Sequence, residues 1–158
     1  MREKGFNETI INSVKRLWSN LKLKIDYLSD EININRGVPQ GSLISPILFN
    51  IFIDDLIRLL GEKAFEVLAY ADDVAVICLR ESELENVVKV LEKWSLKNKM
   101  VINHKKSGIM YLFTFKQAEG TKYGFPLVNY YRFLGVWINK HLNCSKQIDE
   151  SIRNLKYT

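Results

Sequence analysis

Residues 64–79 read Ala-Phe-Glu-Val-Leu-Ala-Tyr-Ala-Asp-Asp-Val-Ala-Val-Ile-Cys-Leu. Two apolar runs, 67–71 and 74–79, flank an adjacent pair of carboxylates, Asp72 and Asp73. Each run is of strand length and rich in Val, Ile, Leu and Tyr, so the spacing predicts two strands. With Asp72-Asp73 as a tight turn they make a hairpin. Neighbouring carboxylates repel each other, and they are tolerated where the turn is wet or where a cation binds. Asp also suits turns through its own local hydrogen bonds.

The rest of the chain is read outward from this hairpin. On its N-terminal side, residues 7–20 carry Ile10, Ile11, Val14, Leu17 and Trp18 at spacings of three and four behind a capping Asn7, which predicts a helix. Residues 21–35 alternate apolar and polar around Ser29-Asp30, a hairpin pattern. Arg36-Gly37-Val38-Pro39-Gln40-Gly41-Ser42 excludes regular structure and lets backbone approach a ligand closely. It runs into an apolar helix over 43–60, with Ser42 or Ser45 as cap, Pro46 in its first turn and Gly61 as terminator. A glycine-rich loop entering a helix N-terminus suits phosphates, although a plain tight connector has the same composition. Asp54 and Asp55 read as a solvated face or a local salt-bridge site.

On its C-terminal side, residues 81–99 form an amphipathic helix whose stripe is Leu84, Val87, Val88, Leu91 and Trp94. Strands are expected over 100–103 and 109–115, on either side of His104-Lys105-Lys106-Ser107-Gly108, and a loop over 116–124. One strand is expected over 130–138 with a bend at Gly135, then a helix over 145–156. No repeat, low-complexity tract or linker marks a boundary, so one domain spanning 1–158 is expected.

Composition excludes several classes. Twenty-three Lys and Arg against 18 Asp and Glu give a net charge of +5, a mild bias toward a polyanion partner. Cys78 and Cys144 are far apart, Cys78 reads as a buried strand thiol, and His104 and His141 are isolated, so no Cys/His metal site is expected. No run of about 18 apolar residues spans a membrane. Met1-Arg2-Glu3-Lys4-Gly5 opens no signal-peptide region, so a reducing intracellular compartment, nucleus or cytoplasm, is expected.

Gly37-Val38-Pro39-Gln40-Gly41-Ser42, then Ser45-Pro46-Ile47-Leu48-Phe49-Asn50-Ile51-Phe52-Ile53-Asp54-Asp55-Leu56, then Tyr70-Ala71-Asp72-Asp73 together resemble a reverse transcriptase. Asn103 with Lys106-Ser107 resembles that family's fourth palm motif, and Phe133-Leu134-Gly135-Val136 resembles its primer grip. Ser42 and the run 133–139 look most like non-LTR (LINE-type) retrotransposon enzymes. The resemblance implies an α+β fold, a palm-like antiparallel sheet backed by helices. It also implies RNA-templated DNA synthesis from deoxynucleoside triphosphates on a DNA primer, with two magnesium ions or manganese in their place. By resemblance, Asp72 is the main metal ligand and Asp73 supports it. Pro39, Gln40 and Gly41 meet the incoming nucleotide and template. Lys106 matches the position proposed to protonate the leaving pyrophosphate, or is a surface lysine touching phosphate. Phe133, Leu134 and Gly135 hold the primer terminus.

One departure is plain. The family's first palm motif supplies another metal-binding Asp upstream of the glycine-rich loop, and residues 1–35 offer only Asp26 and Asp30, in the wrong setting. The chain is therefore expected to be a palm portion beginning downstream of that motif, with fingers and thumb largely absent, and inactive alone. A non-catalytic nucleic-acid-binding or interaction remnant is the alternative. Apolar surface on the helices at 43–60 and 84–94 is expected to be partly exposed, favouring self-association or contact with the remainder of a polyprotein.

Overall fold

The computed structural model describes residues 1–19, 22–24, 31–33, 37–115 and 117–156. Asp26, Asp30 and Arg36, and the expected break at Ser29-Asp30, lie outside these residues. The chain divides into two compact units, Met1–Asp54 and Asp55–Thr158. The architecture is α+β, and among the described residues strand pairing is confined to four antiparallel two-stranded ladders accompanied by four α-helices.

In the first unit, α1 (Glu8–Trp18) begins as its sequence requires. The Asn7 side chain accepts from the Thr9 amide at 2.8 Å, satisfying a donor that the first helical turn leaves without a partner. Ile11 on its stripe is buried, whereas Ile10 and Leu17 are exposed. The short strands β1 (Lys22–Lys24) and β2 (Glu31–Asn33) pair antiparallel, Lys22 opposite Asn33, as the alternation predicted. Helix α2 (Ser45–Gly61) follows the glycine-rich loop. Ser45 is buried, and its hydroxyl donates back to the Pro39 carbonyl at 2.7 Å, closing the loop rather than capping an amide. Asp54 accepts an ion pair from Lys4, so the salt-bridge expectation holds at that position.

The second unit is built around the C-terminal end of α2 and helix α3 (Glu81–Asn98). Leu56, Leu60, Val87, Val88 and Trp94 are buried there, Leu60 completely. The Trp94 indole donates to the Asp55 carboxylate at 2.9 Å, which satisfies an N–H that burial would otherwise orphan. Asp55 thus accepts from a buried indole rather than lying on the solvated face expected of it. The expected apolar exposure is divided: the Val87, Val88 and Trp94 stripe is covered, whereas Leu43, Ile47, Phe52 and Leu59 are exposed.

The strands after α3 differ from expectation. Residues 100–103 form no strand. The Met100 amide is taken by Ser95 O at 2.9 Å in the helix C-cap, with Lys99 left-handed at φ +55°, and the Asn103 side chain folds onto the Lys106 amide. Residues 109–115 make only one parallel bridge, Ile109 to Leu127, before Phe113 turns at φ +57°. The expected loop over 116–124 instead leads into a small ladder of β5 (Thr121–Lys122) and β6 (Phe125–Pro126). The expected single strand over 130–138 is two strands, β7 (Tyr130–Phe133) and β8 (Val136–Asn139), folded back at Leu134-Gly135. Helix α4 (Ser145–Lys156) lies on β8. Gln147 accepts from the Trp137 amide at 3.0 Å, Glu150 accepts from the Trp137 indole, and the Lys146 ammonium sits 3.3 Å from the centre of the Trp137 ring.

Candidate active site

Strands β3 (Glu66–Tyr70) and β4 (Asp73–Ile77) form the expected hairpin, but its turn is one residue earlier than Asp72-Asp73 predicted. Tyr70 pairs with Asp73, so Ala71 and Asp72 are the two turn residues and Asp73 opens β4. Ala71 sits at φ +52°. A left-handed alanine costs about 1–2 kcal/mol relative to its ordinary conformation. The result is a tight apex with Asp72 at its tip and Asp73 immediately after it, both exposed, and Tyr70 beside them 68% exposed.

Lys106 lies in a turn that several contacts define. The Asn103 side-chain oxygen accepts from the Lys106 amide at 3.2 Å, and the Asn103 carbonyl accepts from the same amide at 3.0 Å. This is the local bonding through which Asn favours turns. His104 packs against Phe125, ring centres 4.6 Å apart and planes tilted by 42°, with Nδ1 3.1 Å from the Gly124 carbonyl. Gly108 closes the turn against Val128, where a Cβ would meet the valine methyls at 3.1 Å. The Tyr131 hydroxyl donates to the Lys106 carbonyl.

Phe133, Leu134 and Gly135 belong to the β7–β8 hairpin. Phe133 pairs with Val136, and the two turn residues lie at φ +48° and +84°, the signs that the favoured two-residue turn with both central residues left-handed requires. Gly135 adopts this freely and Leu134 does not. Arg132 donates from Nε to the Gly135 carbonyl at 3.4 Å, bracing the turn.

Pro39, Gln40 and Gly41 lie in the first unit, in the loop that Ser45 closes. Gly37 and Gly41 adopt φ +85° and +86°, with open space where a Cβ would be, so the backbone conformation rather than crowding demands glycine there. Gln40 and Gly41 are exposed.

Within the second unit, the Lys106 turn and the β7–β8 hairpin are joined at Tyr131. Burial raises the Tyr131 phenol above its ordinary pKa, and the nearby negative charge of Asp73 raises it further. Sequence reasoning named Asn103, Lys106 and Phe133 but passed over Tyr131. The only signal was its place two residues before Phe133 on the same face of β7. Among the described residues no three His, Cys, Asp or Glu side chains gather as a metal site. At the hairpin apex Asp72 and Asp73 offer hard oxygen donors of the kind magnesium prefers, fewer than a closed site would hold.

Comparison with known proteins agrees with the motifs. The sequence profile of the family described as reverse transcriptase (RNA-dependent DNA polymerase) matches residues 4–138. The chain is 26% identical over 153 residues to the RNA-directed DNA polymerase from mobile element jockey of Drosophila funebris, covering 85% of this chain and 17% of that protein. It is 28% identical over 115 residues to a Pol polyprotein from type-1 retrotransposable element R2 of Popillia japonica, covering 66% of this chain and 16% of that protein. It is 24% identical over 128 residues to a Pol polyprotein from type-1 retrotransposable element R1 of Nasonia vitripennis, covering 71% of this chain and 38% of that protein. No solved structure matches. The profile takes in the glycine-rich loop, the Asp72-Asp73 hairpin, the Lys106 turn and the Phe133-Leu134-Gly135 turn, and the chain belongs to the reverse transcriptase family, in its non-LTR retrotransposon branch.

Proposed function

We propose that residues 1–158 are a single partial reverse transcriptase domain, the palm portion of an RNA-directed DNA polymerase, acting by two-metal nucleotidyl transfer inside the cell, in nucleus or cytoplasm. The observation that carries this is Asp72 at the exposed apex of the β3–β4 hairpin with Asp73 beside it, in a chain of this family. An exposed carboxylate pair at the turn of a two-strand ladder can hold cations against substrate phosphates without prior desolvation.

In this reading Asp72 is the principal ligand for magnesium or manganese and Asp73 assists. Bound metal ions supply charge neutralisation at the attacking 3′-oxygen and at the departing pyrophosphate. A further carboxylate from outside the hairpin completes the set. Pro39, Gln40 and Gly41 pack on the incoming deoxynucleotide and its template base, the exposed glycine letting the chain pass close to the ligand. Lys106 meets the leaving pyrophosphate and delivers a proton to it. Phe133, Leu134 and Gly135 hold the DNA primer terminus, with RNA as template. The exposed Leu43, Ile47 and Phe52 support contact with the remainder of a polyprotein or with a second copy of the chain.

The test is primer extension on an RNA template, with magnesium and then manganese. It uses this chain alone, this chain with a separately made segment supplying the further carboxylate, and an Asp72→Asn form of each. The expected outcome is extension only with the added segment, lost in Asp72→Asn. Extension by the chain alone, lost in Asp72→Asn, would mean that its own carboxylates suffice. Extension in neither mixture, with metal-independent and strongly salt-dependent RNA binding, would favour a binding remnant.

A further inference from the structure

The β7–β8 hairpin and the Lys106 turn are separate in sequence, and one hydroxyl joins them. Tyr131 stands on β7 two residues before Phe133, and its phenol donates to the backbone carbonyl of Lys106. That carbonyl belongs to the residue whose amide is already held by Asn103, so both backbone polar groups of Lys106 are fixed. The turn is also closed from below by Gly108 against Val128. A lysine on a loose turn sweeps a wide volume, because its four-carbon stem adds its own freedom to that of the backbone. Fixing the backbone at both polar groups narrows that volume.

We propose that Tyr131 is a positioning residue of the polymerase site, whose hydroxyl holds the Lys106 backbone and so restricts the ammonium it carries. The inference rests on the polymerase reading above. It makes the primer-grip hairpin and the leaving-group lysine one mechanical unit. Tyr131 touches no reacting atom, and its effect passes through Lys106.

The test is single-nucleotide incorporation by this chain supplemented with the carboxylate-bearing segment. Four forms are compared: unaltered, Tyr131→Phe, Lys106→Ala and the double variant, with Asp72→Asn as the control for the reading itself. Tyr131→Phe keeps the ring and removes only the hydroxyl. It is expected to lower kcat by about tenfold, with KM for the deoxynucleotide changed by less than about twofold, since misplacement of a transferring group acts on turnover. The double variant is expected to be no slower than Lys106→Ala, because the hydroxyl has nothing left to position. Full kcat in Tyr131→Phe, or multiplicative losses in the double variant, would overturn the inference while leaving the Asp72-dependent activity, and so the polymerase reading, standing. Absence of Asp72-dependent incorporation would overturn both.

A second readout needs no activity. In this chain alone, Tyr131→Phe is expected to speed hydrogen exchange at the Lys106 amide by about tenfold while the β7–β8 ladder amides keep their protection. Unchanged exchange at Lys106 would overturn the inference whatever the kinetics.

Discussion

The β3–β4 and β7–β8 hairpins have the same plan and opposite surroundings. Each is a two-residue turn between short antiparallel strands, and each forces a non-glycine residue, Ala71 or Leu134, into the left-handed region. The β7–β8 hairpin is fastened along its length. Trp137 is held by Gln147 and Glu150 and covered by Lys146, Tyr131 is bonded to Lys106, and β8 ends in a buried Asn139 whose side-chain oxygen accepts from the His141 and Asn143 amides at 3.0 and 3.2 Å. The β3–β4 hairpin carries the carboxylates and leaves Leu68, Tyr70 and Ile77 exposed. The difference is one of support: β8 is tied to α4 and β7 to the Lys106 turn, whereas the β3–β4 strands leave much of their apolar surface uncovered.

The strongest way to sharpen this contrast is Asp72→Asn. Extension by the supplemented chain should fall by at least about 10³-fold, the scale on which groups acting as one unit fail. The thermal midpoint should move little, because an exposed turn carboxylate contributes little to the fold. A large loss of stability in this variant would break the comparison. Next in size is a pair of truncations followed by denaturant unfolding. Trp137→Ala should cost about 2 kcal/mol, part of the loss expected for a fully buried tryptophan. Leu68→Ala, on a half-exposed position, should cost less than about 1 kcal/mol. Equal costs would mean that the open hairpin is as tightly built as the fastened one.

A smaller, pH-dependent effect is expected where β5 and β6 meet the start of α3. Glu81 receives hydrogen bonds from Lys122 at 2.6 Å and from Tyr111 at 3.1 Å, and the Lys122 contact in particular holds its carboxyl below the usual glutamate range. A carboxylate with a lowered folded-state pKa stabilises above its unfolded value and loses that contribution as pH falls through the folded one. Below about pH 4.5 the Tyr111 and Tyr123 resonances should therefore shift as this contact opens, and Glu81→Gln should remove the transition. The smallest effect is Leu134→Asn. Asn tolerates the left-handed conformation, and Asn-Gly is the favoured pair for this turn, so the denaturation midpoint should rise by the equivalent of about 0.5–1 kcal/mol.

The sequence alone determined the helices, and it determined the family to which the chain belongs. Asn7 capping α1, the stripe of Val87, Val88 and Trp94, and the glycines at 37 and 41 are local or periodic signals, and backbone sterics and burial leave them one solution. The family motifs were legible because their residue types and order do not depend on how the chain packs. Tertiary structure decided the turn registers and the small strands. Asp72-Asp73 and Ala71-Asp72 are both acceptable two-residue turns locally. Pairing Tyr70 with Asp73 chooses between them, and a shift of one residue reverses every side chain along the strand. The two-residue strands β5 and β6 are too short to show a period. Met100 was withdrawn from any strand by its bond to Ser95, a helix-cap contact that composition does not announce. Tyr131 acquired its place only when two segments 25 residues apart met through one hydroxyl, a contact fixed by packing and written in no local pattern.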